Sequence, residues 1–266
     1  MLPGAVLLIL QVPAFWPVWK WYILRLSEPS DDAWGILALV TVITLLWWQK
    51  PAARLTSSQV AVSTLFVLVY AATYPWLPAL LRAGMACLAM ASTVSAWRYG
   101  TVLHLGTWGL LGLSLPLISS WQFYLGYPLR VWSGTLAALM LQLSGFAVQR
   151  EGTSLNWGGQ YIWIDAPCSG VQMLWVGYYL TFTLACLYGL GRWKTVGAML
   201  LACLAVLLGN ALRAAALFYI EAGIVVAPAW THTGIGMVVF LGIALSISGS
   251  MYALQKWSYA PPRAVK

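Results

Sequence analysis

The chain has 266 residues, of which 61% are hydrophobic and only 8% charged. Soluble domains carry roughly a quarter charged residues, so this composition, with its positive mean hydropathy, excludes a soluble globular protein and points to an integral membrane protein. The formal charge of +8 sits in short loops between apolar runs, the pattern of the positive-inside rule, and gives no reason to expect a nucleic-acid partner.

In chain order, apolar runs occupy 4–26, 34–48, 59–75, 79–97, 101–118, 131–148, 168–190, 196–220 and 233–254. The first lacks a basic start and a small-residue cleavage site, so it is expected to be a retained helix. Charge decides which of the nine cross. Lys256, Arg263 and Lys266 follow the last run, and Arg192 and Lys194 fall in a tight turn expected before 196–220. Both places read as cytoplasmic. Nine crossings would then put Lys50, Arg54 and Arg98 outside and the acidic 28–32 loop inside, the reverse of the rule.

Taking the 131–148 run out of the membrane corrects every sign. Its Ser133, Thr135, Gln142 and Ser144 give it a polar side, as expected of a helix lying in the interface. Lys20, Arg25 and Arg82 then stand near the outer surface, where they can snorkel. The reading is an all-α polytopic membrane protein with about eight transmembrane helices and both termini cytoplasmic. It forms one integral membrane domain over 1–266.

Residues 119–167 then form an outer segment between spans five and six. The glycine pair at 158 and 159, between mixed polar and apolar residues, predicts a small β-hairpin of 153–157 with 160–165. That hairpin leads directly to Cys168.

Three side chains meet at one membrane level. Cys168 opens the sixth span from the outside. Arg213 lies nineteen residues after Lys194, roughly 28 Å along the seventh span and near the far edge of a core about 30 Å thick. His232 stands just before the eighth. An arginine within a span is costly unless solvated or paired, and such residues usually face an interior and serve function. A free thiol is mostly protonated at neutral pH, and a nearby cation or base shifts it toward thiolate. His232 can take that proton and return it to a leaving amine, while Arg213 stabilises a thiolate or an oxyanion. Ser169 and Gly170 follow the thiol at a helix start, where unpaired N–H groups can form an oxyanion hole. Gly170 equally suits close helix packing. Asn210 shares the helix face of Arg213 and can orient it.

The other candidates read as structural. Cys87, Cys186 and Cys203 are packing cysteines, His104 has no partner on its own side, and Asp165 is a solvated loop residue. The cysteine and histidine spacing suggests neither a metal site nor a disulfide framework, and no cofactor is expected. Trp157, Tyr161 and Trp163 can anchor the outer segment in an aromatic belt or contact a substrate.

The CSG at 168–170, the NALR at 210–213 and His232, together with the run YPLRVW, LSGFAVQREG and DAPCSG between 127 and 170, resemble the exosortase/archaeosortase family. The similarity covers about 127–254, the expected catalytic half; the first hundred residues match only as apolar spans. The resemblance implies a membrane-embedded cysteine protease-transpeptidase acting at the outer face of the cytoplasmic (inner) membrane. Its partners would be membrane lipids and protein substrates bearing a C-terminal motif, a single transmembrane helix and a basic tail. By position, it implies Cys168 as nucleophile, Arg213 as stabiliser of the thiolate or transition state, and His232 as acid and base. Two rival classes stand beside this: a transferase on a lipid-linked substrate, with Arg213 on a phosphate, and a transporter or scaffold for secreted polymer assembly.

Overall fold

A computed structural model describes residues 4–27, 33–48, 50, 54–164, 169–228 and 230–256. Cys168 and Asp165 lie outside the described residues, as do the 28–32 loop, Arg263 and Lys266. The contacts divide the chain into two compact units, 1–119 with 182–195 and 120–181 with 196–266.

The first unit is helical. The run expected as one span over 4–26 is two helices, α1 (Gly4–Ala14) and α2 (Trp16–Leu26), bent by 67°. Two prolines account for the bend. Pro13 lies inside α1 and Pro17 at the start of α2, and each lacks an N–H and crowds the carbonyl four residues back. Phe15, at the joint, is fully buried beside Ala86 and Ala89 and meets the Tyr70 ring edge-on at 4.9 Å. Next come α3 (Trp34–Trp48) and α4 (Ser57–Thr73). A capping box starts α4: Thr56 accepts from the Gln59 N–H and Gln59 from the Thr56 N–H. α5 (Ala79–Tyr99) ends at Gly100 in the left-handed region.

The buried stripe of Ala83, Ala86, Ala89 and Ser92 lets neighbouring helices approach α5 closely. Buried polar pairs fix the contacts: Gln11 Nε2 donates to Thr93 Oγ1 at 3.0 Å, and the Ser63 and Ser92 hydroxyls meet at 2.9 Å. His104 begins α6 (Leu105–Leu113), accepting the Thr107 N–H on Nδ1 and stacking on Tyr99. It caps a helix.

In the second unit α7 (Ile118–Leu143) runs for 26 residues with Pro128 inside it. The helix expected from 131 thus starts thirteen residues earlier, and it ends before 148. Of its polar residues, Ser133 is buried and Gln142 donates to the Val148 carbonyl at 2.7 Å, so part of the polar side serves internal bonds. The predicted hairpin is present as β2 (Ser154–Trp157) and β3 (Gln160–Trp163), in antiparallel register from Ser154 opposite Trp163 to Trp157 opposite Gln160. Gly158 and Gly159 have φ of +58° and +88°, the mirror-image turn that two-residue hairpins prefer. A third strand, β1 (Val148–Glu151), pairs with β2 and was not expected. One face of this sheet is core. Val148, Leu155, Ile162 and Ile164 pack with Ala137, Ala138 and Leu141 of α7 and with Ala215 and Phe218.

The last three helices are α8 (Val171–Tyr188), α9 (Arg192–Glu221) and α10 (Trp230–Lys256). Arg192 and Lys194 belong to the first turn of α9, and the preceding turn is made by Gly189, at φ +60°. Within the second unit α9 and α10 touch closely: a Cβ on Gly209 would stand 2.5 Å from Ile243 Cδ1.

Among the described residues four helices, α5, α8, α9 and α10, are long and apolar enough to cross a membrane, or five if the bent α1–α2 pair is one span. The other runs read as spans form helices of 15, 17 and 9 residues. At 1.5 Å per residue the longest of these reaches only about 26 Å, short of a core about 30 Å thick.

Candidate functional site

Arg213 and His232 come together. Both line one cavity of about 430 Å³ in the second unit, and both line an adjoining one of about 540 Å³. Arg213 sits half-buried on α9 and His232 exposed in the first turn of α10, one turn deeper into that helix than its sequence position suggested. The Arg213 guanidinium lies against Gly236, where a Cβ would be 3.5 Å from Nε and 3.6 Å from Cζ. Its Nε is buried, and no acceptor among the described residues takes it up. Such a donor is available to a charged or polarised oxygen in the cavity.

A chain of contacts ties Gly170 to this wall. Gly170 has φ +83°, and a Cβ there would be 3.3 Å from Asn210 Cγ and Nδ2. Asn210, one turn before Arg213 on α9, is buried and donates from Nδ2 to the Ser133 hydroxyl at 3.1 Å. Ser169 donates from Oγ to Gln122 Oε1 at 2.9 Å, and its Oγ accepts the Val171 N–H at 3.4 Å. The first bonded turn of α8 runs from the Leu174 N–H to the Gly170 carbonyl at 2.8 Å. The N–H of Val171 is therefore occupied, whereas those of Ser169 and Gly170 have no backbone acceptor among the described residues. Gly170 thus stands against Asn210 of a neighbouring helix, and among the described residues its N–H has no backbone acceptor.

Strand β3 and the far turns of α9 complete the 430 Å³ cavity. Tyr161 and Trp163 line it, as does Glu221, two turns beyond Arg213 on the same helix face. Trp157 does not. It is packed among rings, 5.7 Å from Phe218 and 6.0 Å from Phe146, and so lies against the core of the sheet. The Tyr161 hydroxyl donates to Glu151 Oε2 at 3.1 Å, and that carboxylate's hydrogen bond and charge hold the phenol above its usual range. Gln160 Nε2 donates to the Glu221 carbonyl, joining the strand to the end of α9.

Gln122 and Glu221 were not singled out from the sequence, and Ser133 was read only as part of the polar side of the 131–148 run. Only Glu221 carries a readable signal, its spacing of eight from Arg213. Cys87, Cys186 and Cys203 are half-buried or buried, form no disulfide among the described residues, and line neither cavity around Arg213. Among the described residues no group of three His, Cys, Asp or Glu side chains is placed to hold a metal ion.

Against known families, a model described as transmembrane exosortase (Exosortase_EpsH) matches residues 4–249. That span includes the first hundred residues, which on motifs alone matched only as apolar runs. No curated protein and no solved structure matches the chain.

Proposed function

The chain belongs to the transmembrane exosortase family, and from that premise we propose that it is a membrane cysteine endopeptidase and transpeptidase. It cleaves the C-terminal transmembrane sorting tail from secreted or surface proteins at the outer face of the cytoplasmic membrane. Read by its charges the multi-pass chain has both termini in the cytoplasm, with eight crossings only if the short helices within 34–48, 59–75 and 101–118 also cross. The Cys168 thiolate attacks the peptide carbonyl, and Arg213 with the open N–H groups of Ser169 and Gly170 stabilises the oxyanion. Collapse of the tetrahedral intermediate leaves a thioester on Cys168 and releases the tail, whose amine takes a proton from His232. An amine or water then attacks the thioester, returning a proton to His232 and regenerating the thiolate.

One observation supports this reading above the others. Arg213 and His232, from separate helices, share a cavity with Ile164 and Asn210. Ile164 lies four residues before Cys168, and Asn210 touches Gly170, two residues after it. One flank of the thiol-bearing segment therefore lines the cavity that carries the cation and the imidazole, and the other lies close to a residue that lines it. A transporter tends to gather its intramembrane charges at the midplane on broken helices, which these unbroken helices do not do.

The test is the intact mass of host proteins that end in a short motif, one span and a basic tail. Cells carrying the wild type are compared with cells carrying Cys168→Ala and Cys168→Ser. Loss of the tail in the wild type alone supports the peptidase, and added mass on the new C-terminus identifies the acceptor. Tails that persist on every such protein, or that are lost equally with either variant, refute it in favour of a transferase or scaffold.

A further inference from the structure

Strand β3 has an unused edge. Trp157 and Gln160 flank a two-residue turn, and the Ile164 N–H donates to the Thr153 carbonyl at 3.0 Å. Paired residues in an antiparallel ladder alternate between bonded and non-bonded, so Gln160, Ile162 and Ile164 direct their backbone groups at β2. The N–H and C=O of Tyr161 and Trp163 therefore point the other way. Among the described residues none of these four groups has a backbone partner. Proteins ordinarily blunt or cover such an edge, because it pairs readily with any extended chain.

Here the edge is open onto the Arg213 cavity. Five consecutive residues, 160–164, line that cavity. Side chains alternate between the faces of a strand, so a space touching all five follows the edge and not one face. Another part of the wall is α9, from Asn210 through Arg213 and Leu217 to Glu221. The eleven steps from Asn210 to Glu221 rise roughly 16 Å, which an extended chain covers in about five residues. His232 lines the same space.

We propose that the extended segment of the substrate preceding its membrane tail docks as a fourth strand on β3. It exchanges N–H···O=C bonds with Tyr161 and Trp163 and carries the scissile carbonyl to Arg213 and His232. This rests on the peptidase reading and narrows it to a ligand class: an unfolded polypeptide held mainly by its main chain, with amide hydrogens required at every second position. Main-chain pairing supplies affinity, and side-chain pockets at alternate residues supply selectivity.

The test uses a host protein whose tail the wild type removes, with its cleavage site read from the mass measurement above. Tyr161→Pro and Trp163→Pro each delete one outward N–H and leave the β2 ladder its donors. Arg150→Pro makes the same change on the far edge, since Glu151 and Ser154 flank the other two-residue turn and Arg150 points away from β2. Tail removal is expected to slow about tenfold in the first two, equivalent to about 1.4 kcal/mol, and to stay within about twofold for Arg150→Pro. Because a proline can disturb folding, wild-type enzyme is also given synthetic peptides spanning the cleavage site, each N-methylated at one amide. Inhibition of cleavage at every second position supports docking as a strand. Uniform tolerance, or loss at the scissile amide alone, overturns it. So does a wild-type dimer in detergent that Tyr161→Pro converts to monomer, which would make a second copy of β3 the occupant. If the wild type removes no tail from any host protein, the peptidase reading itself has failed and this inference falls with it.

Discussion

Gly170→Ala separates a backbone requirement from simple crowding beside the thiol. An L side chain in the left-handed region costs about 1–2 kcal/mol, and Gly170 sits there at φ +83°. The new Cβ would also press on Asn210 at 3.3 Å, closer than ordinary contact. Asn210 cannot give way freely, because it is buried and its Nδ2 holds the Ser133 hydroxyl at 3.1 Å. Shifting it weakens that bond, adding about 0.5–1.5 kcal/mol. The expected loss of stability is about 2–3 kcal/mol, measured by reversible unfolding in mixed micelles. Ser133→Ala releases Asn210 from its anchor, so the double variant should be more stable than additivity predicts by about 1 kcal/mol. A Gly170→Ala loss below about 0.5 kcal/mol would refute the strain account. Strict additivity would refute the transmission through Asn210.

Gly236→Leu should push the Arg213 guanidinium from its seat, since even the first carbon would stand 3.5 Å from Nε. Tail removal is expected to fall at least about tenfold, or about 1.4 kcal/mol, with a small change in melting temperature; equal losses of both would mean that only packing was harmed. Phe218→Ala removes a fully buried ring that meets Phe146, Trp157 and Tyr219 at 5.6, 5.7 and 5.8 Å. It should destabilise the protein by about 3–5 kcal/mol, with loss of near-ultraviolet dichroism, and a loss under about 1 kcal/mol would show that the sheet is not held through this ring.

The hairpin is legible because two adjacent glycines have few uses other than a turn with positive φ. β1 is not, since VQRE alternates weakly and its turn offers one glycine, Gly152, before Thr153. The start of α7 hides behind Tyr127, Pro128 and Arg130, which read as a break, yet the helix carries Pro128 internally while Arg130 Nε bonds back to the Gly126 carbonyl. Over 34–48, 59–75 and 101–118 the described helices are shorter than a full span, because an apolar run does not report helix length. At the site the polar exceptions in apolar surroundings, Arg213 and His232, are the readable part. Ser133 and Gln122 are uncharged and lie 77 and 47 residues from Asn210 and Ser169, so nothing local marks them as partners.

The order of these contacts along the chain has a consequence for biogenesis. The three-stranded meander closes within residues 148–163, all of its pairings local, and local hairpins form in microseconds. Gly170 meets its neighbour only when Asn210 arrives forty residues later, and the cavity's remaining polar residues, Arg213 and His232, come later still. During synthesis the thiol segment therefore emerges well before the groups proposed to activate it. A truncated or half-inserted chain carries the sheet without Arg213 and His232, so on the proposed mechanism a nascent chain is not yet active.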